Sequence, residues 1–240
     1  MFWRLLVLSL LSVLGEAANI GLLVVATGRY IQFVPPLLES ADRCFLKNHK
    51  VTYFVFTDQE PVFHPHAIYS FQERLGWPFD TMHRYHVYYK HRELFDEQDY
   101  LFAIDADMLF VDAVGDEILG ERVATLHPGF VGQRGSYETH PYSCAYIGPE
   151  EGSRYFAGGF YGGTREAFLH VLKTNISKID QDASRGVIAV WHDESHWNRY
   201  CIDYPPTVVL SPSYCYPEDW SIPYSKKLLA LNKDHAKMRE

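Results

Sequence analysis

The chain has 240 residues, 47% of them hydrophobic and 15% aromatic, and a formal net charge of −8. That length and apolar content suit one globular domain rather than a disordered chain, and the negative balance leaves no Lys/Arg stripe to neutralise phosphates, which excludes a nucleic-acid binder. Cys44, Cys144, Cys201 and Cys215 form no Cys-x-x-Cys pair and so offer no zinc framework.

In chain order, residues 1–18 come first. Arg4, an apolar run from Leu5 to Leu14 and small residues at Ala17 and Ala18 have the layout of a secretory signal or short membrane anchor. Residues 19–240 read as a single domain. Ile20 to Thr27 is a continuous apolar run ending at Gly28, the pattern of a buried parallel strand, and ligands of open α/β sheets bind at such strand ends. Tyr30 to His49 has helical spacing with Pro35-Pro36 near its start, and Val51 to Thr57 is a β-branched, aromatic strand. Strand, helix, strand opens an α/β fold. No Gly-x-Gly-x-x-Gly and no phosphate-binding loop accompanies it, so a nucleotide would need other phosphate partners. Thr81 to Phe95 reads as a helix carrying Arg84, which taken alone reads first as part of a solvated face and otherwise as a phosphate clamp.

Asp99 to Phe110 is an apolar strand running into Asp105-Ala106-Asp107. Strand side chains alternate, so both carboxylates are expected on one side at the strand end. Two acids that close resist ionising together unless a cation lies between them, which selects a hard metal such as Mn²⁺ or Mg²⁺; a strand ending in solvated acids is the other reading of the same residues. Gly115 to Leu119 leads a short helix. Leu126 to Gly152 is long, irregular and rich in Gly, Ser and Tyr, suited to a lid or substrate pocket. Tyr155 to Gly163 is a glycine-rich strand, pointing to close approach of a ligand, to a bulge or to tight packing. Thr164 to Ile179 is helical, with Asp180 to Val190 continuing it after a break at Gly186. Asn175-Ile176-Ser177 within it is an N-glycosylation sequon, in keeping with a secretory route.

Trp191-His192-Asp193-Glu194-Ser195-His196-Trp197-Asn198-Arg199-Tyr200 packs acids, histidines and tryptophans into ten residues. His192 and His196 have the spacing of a helical zinc pair, which admits a zinc hydrolase, but Glu194 stands two residues after the first histidine rather than next to it. Glu194 better suits a carboxylate facing a sugar anomeric carbon, with Asp193 holding hydroxyls and Trp191 stacking on a pyranose. Thr207 to Leu210 is a short strand. The tail from Lys226 is basic, as a solvated end or as a segment closing over an anion.

These stretches resemble the family 6 glycosyltransferases, which include the histo-blood-group A and B transferases, the α-1,3-galactosyltransferases and compact bacterial relatives. The residues that carry the resemblance are Trp191-His192-Asp193-Glu194-Ser195 with Asn198 and Tyr200, Leu126-His127-Pro128-Gly129-Phe130, Phe56-Thr57-Asp58, and Leu210-Ser211-Pro212 with Tyr214. The resemblance implies an α/β fold of the GT-A type, with a mixed central sheet flanked by helices. It also implies Mn²⁺, a UDP-sugar donor, UDP-N-acetylgalactosamine or UDP-galactose, and retaining α-1,3 transfer to a galactose-terminated glycan.

Residue by residue, Val25, Ala26, Thr27 and Tyr30 match the segment that holds uridine, Arg84 a donor-binding arginine, and Asp105, Ala106 and Asp107 the metal-binding Asp-x-Asp. His127, Ser136 and Trp191 match acceptor contacts, Asp193 a donor-sugar contact and Glu194 the catalytic glutamate. Lys233, His235 and Arg239 match C-terminal residues that close over the diphosphate, while Ala157 and Gly159 fall where galactose and N-acetylgalactosamine are told apart. Small residues there favour N-acetylgalactosamine. The chain keeps both aspartates, where many bacterial members have asparagines and need no metal, and it has Tyr137-Glu138-Thr139-His140 where vertebrate members have Tyr-Glu-Arg-Arg. The implied location is the Golgi lumen or membrane for a eukaryotic source, and the cytoplasm or cell envelope for a bacterial one. A transfer-dead sugar- or nucleotide-binding protein of the same fold is the alternative function.

Overall fold

The computed structural model describes residues 17–239, so the predicted signal or anchor lies outside the described residues except for its last two positions. The chain begins with β1 (Asn19–Val25), α1 (Val34–Cys44), β2 (Lys50–Thr57) and β3 (Ala67–Phe71). Next come α2 (Phe79–Met82), α3 (Arg84–Lys90), β4 (Tyr100–Ile104), β5 (Met108–Phe110) and β6 (Arg122–Leu126). After the irregular loop follow β7 (Phe156–Thr164), α4 (Arg165–Ser184), α5 (His192–Asp203), β8 (Val208–Leu210), β9 (Tyr216–Pro217), β10 (Leu228–Ala230) and α6 (His235–Arg239).

Seven strands form one sheet in the order β3-β2-β1-β4-β7-β6-β8, and β5, β10 and β9 form a small second sheet. β1 lies parallel to both β2 and β4, whereas β7 runs antiparallel to β4 and β6. This is the mixed, helix-flanked sheet expected of a GT-A fold. β1 is apolar from Ile20 onward because both of its faces are covered. Ile20, Leu22 and Val24 pack with Val34, Leu37 and Leu38 of α1, while Leu23 on the other face joins Tyr85 and Tyr88 of α3, Phe168 and Leu172 of α4 and Trp197 of α5.

Several predicted elements differ. The helix expected over 30–49 is a 3₁₀ turn, Gly28–Phe33, followed by an α-helix that ends at Cys44. The helix expected over 81–95 is divided at His83 and His91, whose ψ values of 13° and 15° leave the helical range. β3 has no counterpart among the predicted elements: it is a five-residue, half-exposed edge strand too short to display alternation. α4 runs unbroken to Ser184 and stops; Gly186, with φ +68°, lies beyond its end as a terminator, and no helix continues to Val190. The glycines of β7 split by cause. A Cβ on Gly162 would run into the Leu101 carbonyl and one on Gly163 into the Glu121 carbonyl, so these two serve strand packing.

Asn175 is 0% exposed within α4, so the sequon cannot carry a glycan in the folded protein. Folded protein made through a secretory route is therefore expected to carry no N-glycan at Asn175; a glycopeptide at that residue in the active fraction would contradict the helix packing.

Candidate active site

A cleft opens at the carboxyl ends of β1 and β4, where Val25, Thr27 and Tyr30 face Arg84, Asp105, Ala106 and Asp107, and Lys233 closes one side. Ala26 does not join them. It is 0% exposed, its N–H donates to the Phe56 carbonyl at 2.8 Å and its carbonyl accepts from Thr57 Oγ1 at 2.7 Å. Strand alternation turns its methyl into the core. Asp80, Thr81 and Tyr88, which belong to none of the motifs, also line the cleft.

Asp105-Ala106-Asp107 is a turn between β4 and β5, not the end of a strand. The two carboxylates reach the cleft because the chain reverses there, and each meets a different cation. Arg84 Nη1 lies 2.8 Å from Asp105 Oδ1, and Arg84 Nε lies 2.9 Å from Asp193 Oδ2. Arg84 Nη1 also donates to the Gly158 carbonyl at 3.1 Å. Asp107 pairs with Lys233, whose ammonium sits 5.6 Å from the centre of the Tyr30 ring. Burial works against the Arg84 charge, yet Asp105 and Asp193 hold its pKa well above the usual value. Burial and the neighbouring Asp105 push the Asp107 carboxyl up, and Lys233 opposes that rise. Burial likewise raises Asp193 against the pull of Arg84.

Asp105 and Asp107 fit a divalent metal by the chemistry of the donor set. They are hard carboxylate oxygens in one cleft, each already facing a positive charge, and their mutual repulsion is what a divalent cation relieves. Among the described residues, no group of three or more His, Cys, Asp or Glu side chains comes together as a metal site, so further ligands would have to come from outside the described side chains. The histidine pair does not converge on a metal. His192 packs edge-on to Trp77 at 5.3 Å, while His196 is buried with Nε2 3.7 Å from Asp182, and burial brings its pKa down to about 4.

Glu194 lies in the first turn of α5. His192 enters that helix with φ +51°, a left-handed conformation uncommon for a side-chain-bearing residue, and this swings the chain from Trp191 into the helix. Glu194 Oε1 accepts from the Tyr155 hydroxyl at 2.8 Å and Oε2 from the Gly158 N–H at 2.8 Å. Burial pushes the Glu194 carboxyl up, while these two donors pull it down. Tyr155 carries no signal in the sequence, since it reads as one more aromatic of a buried strand.

Replacing Tyr155 with Phe removes a hydrogen bond to a charged group, worth about 1.5–3 kcal/mol. Because the hydroxyl favours the ionised carboxylate, its loss should raise the Glu194 pKa. The expected result is a lower kcat with the acid limb of the kcat–pH profile moved to higher pH; an unmoved limb would separate Tyr155 from Glu194.

The expected acceptor residues gather on the other side of Tyr155. The His127 ring meets Tyr155 at 5.6 Å, His127 Nδ1 accepts from the Gly129 N–H at 3.1 Å, and burial lowers its pKa. The Trp191 indole N–H donates to Ser136 Oγ at 2.9 Å, leaving the ring 48% exposed. A Cβ on Gly159 would lie 3.4 Å from Asp105 Oδ2 and 3.6 Å from Cys215 Sγ, which places that glycine between the metal-candidate turn and the β9 loop; Ala157 is buried. α6 lies over the 3₁₀ turn, with Gln32 Nε2 donating to Met238 Sδ at 3.4 Å. His235 begins that helix and is exposed, and the Arg239 side chain lies outside the described residues.

The family model for glycosyltransferase family 6 matches residues 12–240 of the chain. Histo-blood group ABO system transferase 1 of Rattus norvegicus is 38% identical over 93% of this chain and 69% of its own length. Globoside alpha-1,3-N-acetylgalactosaminyltransferase 1 of Homo sapiens is 33% identical over 92% of this chain and 68% of its own length. Alpha-1,3-galactosyltransferase 2 of Homo sapiens is 30% identical over 84% and 63%, respectively.

Proposed function

The chain belongs to glycosyltransferase family 6, and from that membership we propose that it moves N-acetylgalactosamine from its UDP conjugate to the 3-hydroxyl of a galactose-terminated glycan, in α-1,3 linkage and with retention. The observation that carries this reading is Glu194, held by Tyr155 and Gly158 beside the Arg84 hub and the paired aspartates. Val25, Thr27 and Tyr30 receive the nucleoside end. Arg84 and Lys233 supply positive charge along the cleft, and Asp193 faces the sugar. The small residues Ala157 and Gly159, which present no bulky side chain against an acetamido group, support N-acetylgalactosamine over galactose; much faster turnover of UDP-galactose would overturn that choice.

Asp105 and Asp107 would hold a divalent cation, Mn²⁺ in this proposal, which when bound supplies Lewis-acid neutralisation of the charge growing on departing UDP. Glu194 provides the opposite charge to an oxocarbenium-like anomeric carbon. Its oxygens each keep a free lone pair beyond the bonds from Tyr155 and Gly158, so the carboxylate can stabilise that centre during same-face attack or trap it covalently. Either route retains configuration. His127, Ser136 and Trp191 seat the galactose whose hydroxyl attacks.

The basic residue and apolar run of the first eighteen positions support a secretory route with membrane association through the N-terminus. Among the described residues no helix is long and apolar enough to cross a membrane.

The test is UDP release from a panel of UDP-sugars with galactoside acceptors, with and without Mn²⁺. Asp107→Asn is expected to abolish the metal-stimulated part of turnover, measured by titrating activity against a chelator. Wild-type activity that is unchanged in chelator would remove the metal from the proposal.

A further inference from the structure

The acceptor side is built from two segments with no strand or helix to align them, the loop 127–155 and the turn 185–191. Ser136 and Trp191 come from these two segments and touch through a single hydrogen bond. Two residues beyond Ser136 stands Glu138, a carboxylate only 5% exposed that takes no part in the chemistry above. Its Oε2 accepts the Val190 N–H at 2.6 Å, across 52 positions of sequence, and its Oε1 accepts the His140 N–H at 2.7 Å. The Glu138 carbonyl accepts the Ile147 N–H at 2.9 Å. A second carboxylate repeats the arrangement further along. Asp182, buried in the last turn of α4, accepts from Ser143 Oγ and the Cys144 N–H, both at 2.7 Å, tying the same loop to the helix from which the turn departs.

We propose that Glu138 is a positioning residue that clips the turn 185–191 to the loop 127–155, and so fixes the spacing of Ser136 and Trp191 against which the acceptor galactose is seated. This rests on the galactoside-transfer reading above. Three features carry it. The clip lies one residue from Trp191 and two from Ser136, so a shift there passes directly to both. Backbone N–H groups bonded to a buried carboxylate form bonds about twice as strong as neutral ones. Among the described residues, the remaining direct bond between Ser136 and Trp191 is neutral and half open to water, too weak to set the geometry alone. Glu138 itself touches neither Glu194 nor the paired aspartates; because the Glu194 N–H donates to the Trp191 carbonyl at 3.0 Å, hydrolysis without acceptor is the readout that shows whether the effect stays on the acceptor side.

The experiment compares wild type, Glu138→Gln and Glu138→Asp for acceptor KM and kcat with a galactoside, for hydrolysis of UDP-N-acetylgalactosamine without acceptor, for UDP affinity and for melting temperature. Glutamine keeps the shape but turns an amide donor toward one of the two N–H groups. Aspartate keeps the charge but is one methylene short of bridging both. The expected result is an acceptor KM raised about tenfold or more in Glu138→Gln and by less in Glu138→Asp, with hydrolysis and UDP affinity within about twofold of wild type. Acceptor KM unchanged in both variants overturns the proposal, as does a parallel loss of hydrolysis, transfer and melting temperature, which would make Glu138 a general structural group. Should Glu138→Gln not fold, the same readouts on Glu138→Asp decide. A wild type that hydrolyses UDP-sugar but transfers to no galactoside would overturn the acceptor reading itself, before any variant is compared.

Discussion

Glu194→Gln is expected to reduce kcat for transfer by about 10²–10³-fold, the cost of removing one preorganised charge aimed at a developing transition-state charge. Glutamine has the same shape, and one side-chain oxygen remains to accept from either Tyr155 or Gly158, so the site should keep its form. What disappears is the negative charge that the proposed mechanism sets against the anomeric carbon. UDP affinity should stay within about twofold, because Val25, Thr27, Tyr30 and Lys233 hold the far end of the cleft and the substitution does not touch them. Steady-state transfer together with calorimetric titration of UDP measures both quantities. A variant with full activity would remove Glu194 from the mechanism, and one that loses UDP binding in step would make its role architectural.

The second large effect is at Arg84. Its guanidinium joins Asp105 and Asp193, with 11% of the side chain exposed, and donates to the Gly158 carbonyl. Arg84→Met preserves much of the stem and deletes the charge, leaving the buried Asp193 carboxylate without its cation and Asp105 facing Asp107 with one positive charge fewer. Breaking a buried pair from one side costs about 3–5 kcal/mol, and at about 2–4 °C per kcal/mol for a chain of this size the melting temperature should fall by about 6–20 °C. Donor affinity should fall with it. Arg84→Lys should recover only part of the loss, because a single ammonium nitrogen cannot occupy both the Nε and Nη1 positions that reach Asp193 and Asp105. A melting temperature within about 2 °C of wild type in Arg84→Met would show that the carboxylates find other partners. Such an outcome would also weaken the assignment of Arg84 to the donor end.

Much of the site is legible in the residues themselves. β1 shows as an apolar run because it is buried on both faces, and its carboxyl end is the expected ligand position. The acids and aromatics from Trp191 to Tyr200 stand out by density alone, and Glu194 is where the fold gathers its hydrogen-bond donors. The paired aspartates stand out for a reason that fails in detail. Strand alternation predicts their alignment, whereas a turn brings them to the cleft and sends them to separate cations. Ala26 reads together with its neighbours Val25 and Thr27 because a motif match carries no facing, and the pleat sends its methyl inward. The glycine run of β7 mixes two causes, with Gly158 and Gly159 at the cleft and Gly162 and Gly163 against neighbouring strands.

The sequence by itself determined the fold class and the strand that opens the cleft, which are written in apolar runs and their order, and the family, through the motifs it shares with family 6; it also singled out Glu194 as the catalytic candidate. Tertiary structure alone decided how those residues act on one another. Arg84 reaches Gly158 across 74 positions, Tyr155 reaches Glu194 across 39, and Glu138 reaches Val190 across 52. Such contacts leave no period in the chain, because a hydrogen bond depends on where two backbones have been carried by packing rather than on what stands three or four residues away. For the same reason Asn175 reads as an open sequon in the sequence and is a buried side chain in the fold.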